Sequence, residues 1–497
     1  MSRRRQPRTP VNRAPAPNDG TPLGHLSDEE LMRQFASELA RRRLARGQLE
    51  LDSIESFATD VKEDLGAETL AATMAALPPE ESTPKACPKC GKPVAVKVRN
   101  RVRHILTVAG EVRLSRNYHR CGRCKLGFYP RDAELKLPEG GEVSDAMERR
   151  ILDFGVNETF EAAAERWTIH YRYPISSNLV RRVVDRVGER AERASSPLAL
   201  QRACRPSPEE LPRALVVAAD GSMLLTREAA WKEAKVAVVA HGDACAEEHR
   251  SSVSNARYVA VLGDQAEFRR ELQAALAAER ADEVPQVVWL GDGAPENWKL
   301  ATELCPSAVQ VLDMPHAIQN AMTCAKVLLG EADALLPAWE ARIHQLIEAP
   351  SPDALIRELL DCLPYVEADS GLDALDTLIG YYRTNEKRMR YTLFRELGLP
   401  VGSGIVESAH RHVLQVRMKR AGQRWAIQRA RRMVRLRAAY RTAGPSRFHW
   451  ALRDALHAPG SPRPRHRPLP NGDRRAQPRR TMHPGSRLNR ALLNASK

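Results

Sequence analysis

Apolar residues between Ser27 and Leu77 recur at helical spacing after a capping-type start, Ser-Asp-Glu-Glu, which predicts a small helical N-terminal segment over 27–80. The pattern changes near residue 84. Two β-rich runs, VAVKVRNRVRHILTV and EVRLSRNYH, flank an Ala-Gly turn and predict a β-hairpin within 81–135. Helical periodicity returns from Val143, in three segments filling 136–205. The last of them places Leu179, Val180, Val183, Val184 and Val187 on one face, and Asn178, Arg181, Arg182 and Arg186 on the other. A Pro-rich stretch, RPSPEELPR at 205–213, marks a boundary. Beyond it the order over 206–329 is strand (214–219), strand (234–240), strand (257–262), helix (265–281), strand (286–290), helix (295–304), strand (308–312), helix (315–329). Strands that first run together and then alternate with helices imply an α/β fold with a mixed sheet covered by helices. Residues 330–398 are helical throughout and read as an insertion. After Gly402-Ser403-Gly404, the segment 399–443 reads as one long final helix. The Pro- and Arg-rich stretches at 1–26 and 444–497 read as basic, mostly disordered tails.

With 497 residues the chain has room for several domains. Its net charge of +15 and isoelectric point near 9.6 suggest a polyanionic partner, and Arg-rich helices without long apolar faces favour nucleic acid over membrane. No apolar run approaches the roughly 18 to 20 residues that span a bilayer, and the N-terminus lacks the apolar middle of a secretory signal, so a cytoplasmic location is expected.

Four of the nine cysteines fall in two pairs, Cys87-x-x-Cys90 and, thirty residues on, Cys121-x-x-Cys124. Two turn-borne thiolate pairs brought together by a hairpin suit a closed, structural Zn²⁺ site. His119 is close enough in sequence to substitute as a ligand, although a solvated strand histidine is the simpler reading. Asp220 (VVAADGS) and Asp292 (VVWLGDGAPENW) each end a buried apolar strand, where α/β sheets present ligand-binding groups. Asp-Gly turn chemistry and helix N-capping explain such residues equally well; Asp264 is read as a plain cap. Glu407 is the only acid between Glu396 and Asp454, and the stretch 399–441 around it holds eleven Arg and Lys residues. Its position in a first helical turn suits the helix dipole and an i+4 pair with Arg411. Neither explains why it is the only one.

Taken together, VVAADGS, VVWLGDGAPENW, VLDMPHA, YRTNEKRMRY and LPVGSGIVESAHRHVLQVRMKRAGQRW resemble the DDE transposases of bacterial insertion sequences, in the ISKra-type and Mutator-like groups. The resemblance runs from the cysteine pairs to about Arg441. It implies a ribonuclease H-like catalytic core interrupted by an all-helical insertion and preceded by a zinc ribbon and a helical DNA-binding region. Its acids would be Asp220, Asp292 and Glu407, with Asp313 and His316 as an accessory Asp-x-x-His element. Three converging carboxylates would hold two Mg²⁺ (or Mn²⁺) ions, hydrolyse phosphodiesters at transposon ends and transfer the freed 3′-hydroxyl to target DNA. Phosphates would be met by Arg411, Arg417, Lys419, Arg420 and Arg424. Trp425 reads as a core residue or a stacking platform. Ser176–Arg190, carrying Arg181 and Arg182, would be the recognition helix of a helix-turn-helix. Partners would be terminal inverted repeats, target DNA and further copies of the chain. The rival readings are a non-catalytic DNA-binding regulator and a nuclease of the same fold without strand transfer.

Overall fold

The computed structural model describes residues 26–457, apart from 46, 48–49, 138–140, 172, 195–205, 246–249 and 403. All but the last residue of the tail expected at 1–26 and most of that expected at 444–497 lie outside the described residues. The described residues belong to one compact unit.

Two N-terminal helices, α1 (Asp28–Leu44) and α2 (Leu51–Ala75), come first, and no residue of either is buried. Ser27 and Glu30 form the capping box expected from the sequence. A short ladder of β1 (Lys85–Ala86) and β2 (Pro93–Val94) precedes the hairpin β3 (Val96–Thr107) and β4 (Gly110–Arg120), to which β5 (Gly127–Phe128) adds a third strand. A short helix, α3 (Pro130–Glu134), then leads into three helices that pack together: α4 (Asp145–Asn157), α5 (Phe160–His170) and α6 (Ser177–Ala194). Leu179, Val180, Val183, Val184 and Val187 of α6 are all buried, as their spacing requires.

The central sheet comprises β6 (Ala214–Leu225), β7 (Trp231–Cys245), β8 (Arg250–Val261), β9 (Gln286–Gly291) and β10 (Val309–Leu312), in the spatial order β10-β9-β6-β7-β8. The pairs β6–β7 and β7–β8 are antiparallel, whereas β6–β9 and β9–β10 are parallel. The near-continuous apolar runs of β6 and β9 reflect burial on both faces. Strand β7 shows how the sheet divides two cores, because Val236, Val238 and Ala240 face one and Ala237 and Val239 the other. One core is completed by α7 (Gln265–Ala278), α8 (Pro295–Leu304), α9 (Met314–Leu329) and the helices α10 (Leu336–Ile347), α11 (Asp353–Cys362), α12 (Asp369–Asn385) and α13 (Tyr391–Glu396) of the helical region. The other core is completed by α4, α5, α6 and the C-terminal helices.

Three sequence expectations change. Strand β6 does not end at Asp220: it continues to Leu225, paired residue by residue with β7, so Asp220-Gly221 is strand and not turn. The segment after Gly404 is not one long helix. It forms α14 (Gly404–Ala409), a π-helical segment His410–Gln415 and a short turn Val416–Met418, breaks, and resumes as α15 (Ile427–Ala443). The break falls where Gly422 takes a φ of +71°, a conformation open to glycine at little cost, and where Trp425 bridges to Thr226 at the tip of the β6–β7 hairpin. The expected basic tail also begins later, since Pro445–His457 forms a helix whose Phe448 and Leu452 are fully buried beside Tyr440 and α6.

Candidate functional site

The sheet register assembles the site. Ala218 of β6 pairs with Leu290 of β9, so Asp220 and Asp292 each stand two residues beyond the same rung of two neighbouring parallel strands. Leu312 of β10 pairs with Gly291, which sets Asp313 beside Asp292. Three aspartates thus stand at one level of three adjacent strands, past the ends of β9 and β10 and within β6.

Each is fixed locally. Asp220 Oδ1 accepts from the Gly221 amide at 2.6 Å, and Asp292 Oδ1 from the Ala294 amide at 3.1 Å. Gly293 has a φ of +102°, and a Cβ there would lie 2.4 Å from the Tyr381 ring, whose hydroxyl donates to the Asp292 carbonyl at 2.8 Å. Asp313 is fully buried; it caps α9 by accepting from the His316 amide at 3.1 Å, and its carboxylate also binds His316 Nδ1. That contact with Asp313 raises the pKa of His316, against its partial burial, and the charges of Asp313, Asp292 and Asp220 add to the rise.

The glycine loop that precedes Glu407 is held at this end of the sheet. The Met314 amide donates to the Val401 carbonyl at 2.9 Å, and a Cβ on Gly402 would meet Asp313 Oδ1 at 3.8 Å. The loop is therefore tied to the strand ends, and α14 packs on β6 and β7. Glu407 is exposed on α14. One turn on, buried His410 places Nε2 3.5 Å from Asp220 Oδ2. Burial lowers the pKa of His410, while the charges of Asp220 and Glu407 pull it up. His410 escapes the sequence reading because it stands among many polar helical residues; its i+3 spacing from Glu407 was the available signal.

Among the described residues, no Lys or Arg forms an ion pair with Asp220, Asp292 or Glu407. Their oxygens are of the kind a hard divalent cation takes, but among the described residues only the four cysteines described below bring three or more such ligand atoms within 4.8 Å of one another, so the structure does not gather Asp220, Asp292 and Glu407 into one group. The basic residues expected beside them divide. Arg411, Lys419, Arg420 and Arg424 are exposed, and Lys419 Nζ donates to Ser222 Oγ, two residues past Asp220, at 2.5 Å. Arg417 is a correction: it is buried, donates to the Gly155 carbonyl at 3.3 Å and lies over the rings of Phe160 and Trp425, so it meets protein and not phosphate. Burial pushes its pKa down to about 10. Trp425 is itself buried, donating from its indole to the Met418 carbonyl. On α6, Arg182 makes a two-bond contact with Glu142, Arg181 lies 3.6 Å from Asp185, and Arg429 and Arg432 of α15 reach Asp185, Glu189 and Glu192. The polar face of the expected recognition helix is thus largely engaged within the chain.

At the ribbon, Sγ atoms of Cys87, Cys90, Cys121 and Cys124 all lie within 4.8 Å of one another. Cys87–Cys124 and Cys90–Cys121 are each 3.5 Å apart, close to the roughly 3.8 Å edge of a tetrahedron with 2.3 Å Zn–S bonds. Each C-x-x-C turn closes on a left-handed residue, Gly91 (φ +71°) or Lys125 (φ +61°), whose amide donates back to the carbonyl of Cys87 or Cys121. Amides of Cys124 and Arg123 lower the Cys121 thiol to about 6, against some desolvation, while Cys124, lowered by the Leu126 amide but raised by desolvation and the neighbouring thiols, is pushed up to about 11, so the four sulfurs share protons as one group. The group can hold zinc. His119 is a second correction: it is buried, not solvated, with Nδ1 at 2.9 Å from the Val94 carbonyl and its ring stacked on Phe128.

Residues 92–451 match the model of UPF0236, an uncharacterised protein family, and the chain belongs to that family. Among solved structures, the "Drosophila P element transposase strand transfer complex" is similar at 11% identity, with 62% of this chain and 95% of that chain covered and a TM-score of 0.29. A likeness this distant carries nothing about mechanism. No curated protein matches the chain. Among the described residues, no helix is long and apolar enough to cross a membrane.

Proposed function

We propose that this chain is a DNA transposase of the DDE type, with a ribonuclease H-like core related to the ISKra-type and Mutator-like groups. Asp220, Asp292 and Glu407 are its catalytic acids, and it works as an oligomer on transposon-end and target DNA. The observation that carries the reading is the register: one acid on the first strand and one past the fourth stand level on neighbouring parallel strands, and the helix bearing the third packs on the first. The charge pattern supports it, since Glu407, which among the described residues pairs with no Lys or Arg, stands in the most basic part of the chain.

Asp220, Asp292 and Glu407 would hold magnesium, which when bound would supply activation of the attacking oxygen and stabilisation of the leaving one. The chain's own groups set the stage. Hydrogen bonds from Gly221 and Ala294 fix one oxygen of each aspartate, leaving the carboxylate rotamers little freedom. His410 bears on the other oxygen of Asp220. Buried Asp313 and half-buried His316 cap the helix that follows β10, whose Met314 amide bonds the glycine loop, a positioning role. Lys419, Arg420, Arg424 and Arg411 hold the phosphate backbone beside the acids.

The test is cleavage of DNA carrying the gene's flanking inverted repeats in Mg²⁺. Wild type is expected to leave free 3′-hydroxyl ends, and Asp292→Asn to cut at least about a hundredfold more slowly. Equal cutting by the two proteins would refute the assignment.

A further inference from the structure

The helix that carries Glu407 keeps a period that no α-helix keeps. Its buried positions are Val406, then Ala409 with His410, Val413 with Leu414, and Arg417 with Met418, so the inward face returns every four residues. An α-helix returns about every 3.6 residues and drifts by about 40° at each such step, so the two steps from Ala409 to Arg417 accumulate nearly the rotation of one residue. The π-helical winding of His410–Gln415 absorbs that excess. The Val416 amide, which in an α-helix would bond the His412 carbonyl, reaches back five residues to the Arg411 carbonyl. The His412 carbonyl accepts from Arg437 Nη2 of α15, and the Val413 carbonyl from its Nε at 2.6 Å. Arg437 is almost fully buried, and its remaining nitrogen is on the Val156 carbonyl. One planar guanidinium thus supplies from outside the donors that the wider winding withholds from the helix's own carbonyls.

Both ends of the wide segment are pinned. At one, buried His410 places Nε2 3.5 Å from Asp220 Oδ2, with Glu407 one turn before it. At the other, the Trp425 indole donates to the Met418 carbonyl at 3.1 Å, and Arg417 Nε to the Gly155 carbonyl at 3.3 Å. With the far end fixed, tightening the segment to an α-helix would turn His410 and Glu407 about the helix axis by roughly one residue, about 100°. We propose that Arg437 is a positioning residue for the acid site: its guanidinium holds the helix one residue wide, and that width keeps His410 against Asp220 and sets the direction in which Glu407 leaves the helix. The proposal rests on the reading of Asp220 and Glu407 as catalytic acids. Arg437 acts through the helix, by way of two carbonyls that lie five and six residues past Glu407.

The experiment is a suppression test on the full chain. Arg437→Met, which keeps length and loses the donors, should lower the urea midpoint and slow cleavage of end-bearing DNA in Mg²⁺ at least about tenfold under conditions where it is folded. Deleting Gln415, an exposed residue of the wide turn, from the same variant removes the one residue the winding absorbs, so ordinary helical bonds can restore the phase. The double variant should regain part of the midpoint and cut within about threefold of wild type. Where Arg437→Met alone is too unstable to assay, recovery of folding and cleavage together is the supporting result. Cleavage by folded Arg437→Met equal to wild type, a deletion that restores nothing, or one that restores stability without cleavage would each overturn the proposal. A second readout needs neither metal nor DNA: the His410 ring signal in NMR should move on Asp220→Asn in wild type and in the double variant. A signal that ignores this substitution in either protein also overturns the proposal. Asp292→Asn separates the two readings, because cleavage that survives it sinks the catalytic assignment alone while the midpoint and the ring signal are scored independently.

Discussion

Glu407→Gln should slow Mg²⁺-dependent DNA cleavage by about a hundred- to a thousandfold, or roughly 2.7 to 4 kcal/mol of barrier, while DNA binding holds or tightens. The split follows from where the residue sits. Glu407 is exposed in the first turn of α14, and its best structural contribution there, complementing the helix dipole, is worth a few tenths to about 1 kcal/mol. A glutamine keeps the size and loses the charge that a cation needs. It also removes a negative charge beside the phosphates, so the repulsion that opposes DNA binding falls. Cleavage and binding measured on one preparation decide the matter. If binding and thermal stability fall together with cleavage, Glu407 is a structural acid and the triad lacks its third member.

Arg437→Leu should destabilise the fold by about 3 to 5 kcal/mol, far more than any surface Arg in the same helix. Arg437 is almost fully buried. Its Nε donates to the Val413 carbonyl at 2.6 Å, Nη1 to the Val156 carbonyl and Nη2 to the His412 carbonyl. Two of those acceptors belong to the π-helical segment that follows the Glu407 turn, and the third to the end of α4. Burial pushes the guanidinium down to about 9, with the positive charges of Arg441, Arg417 and Arg420 adding to the effect. Leucine is shorter, so it leaves the outer part of the space empty and three carbonyls without donors, each costing about 1 to 3 kcal/mol before relaxation. Lysine restores only part, because a point ammonium cannot replace a planar fork. Urea unfolding is the measurement, with exposed Arg441→Leu expected to stay within about 0.5 kcal/mol. A midpoint for Arg437→Leu equal to that control would contradict the role assigned to this residue.

These two residues also mark how far the sequence could be read. Strands such as LVVAA and QVVWL announce themselves, because a run buried on both faces has no polar alternation to obscure it. The cysteine pairs carry their geometry in their spacing. Asp220 was harder: Asp-Gly is ordinary turn chemistry, and only pairing with Trp231–Lys235 turns the following five residues into strand. The break after Met418 was signalled by Gly422, but a run of good helix formers around it outweighed one glycine on local propensity alone. Arg417 read as a phosphate ligand because charge in a helix ordinarily faces water. Its burial, like that of Arg437, depends on carbonyls of α4 and the π-helical segment, which lie hundreds or tens of residues away. In FHWALRDAL the helical spacing of Phe448, Ala451 and Leu452 was present, yet the Pro- and Arg-rich sequence just beyond it dominated the reading. His410 needed the strand to be placed first, since only its nearness to Asp220 distinguishes it from its neighbours.

Whether Asp220, Asp292 and Glu407 form one divalent-cation site is tested most directly by Mn²⁺ binding, followed by electron paramagnetic resonance on the zinc-loaded protein in the presence of end-bearing DNA. Wild type is expected to bind Mn²⁺, and each of Asp220→Asn, Asp292→Asn and Glu407→Gln to weaken it at least about tenfold, with folding unchanged. Binding equal to wild type in all three variants would contradict the account.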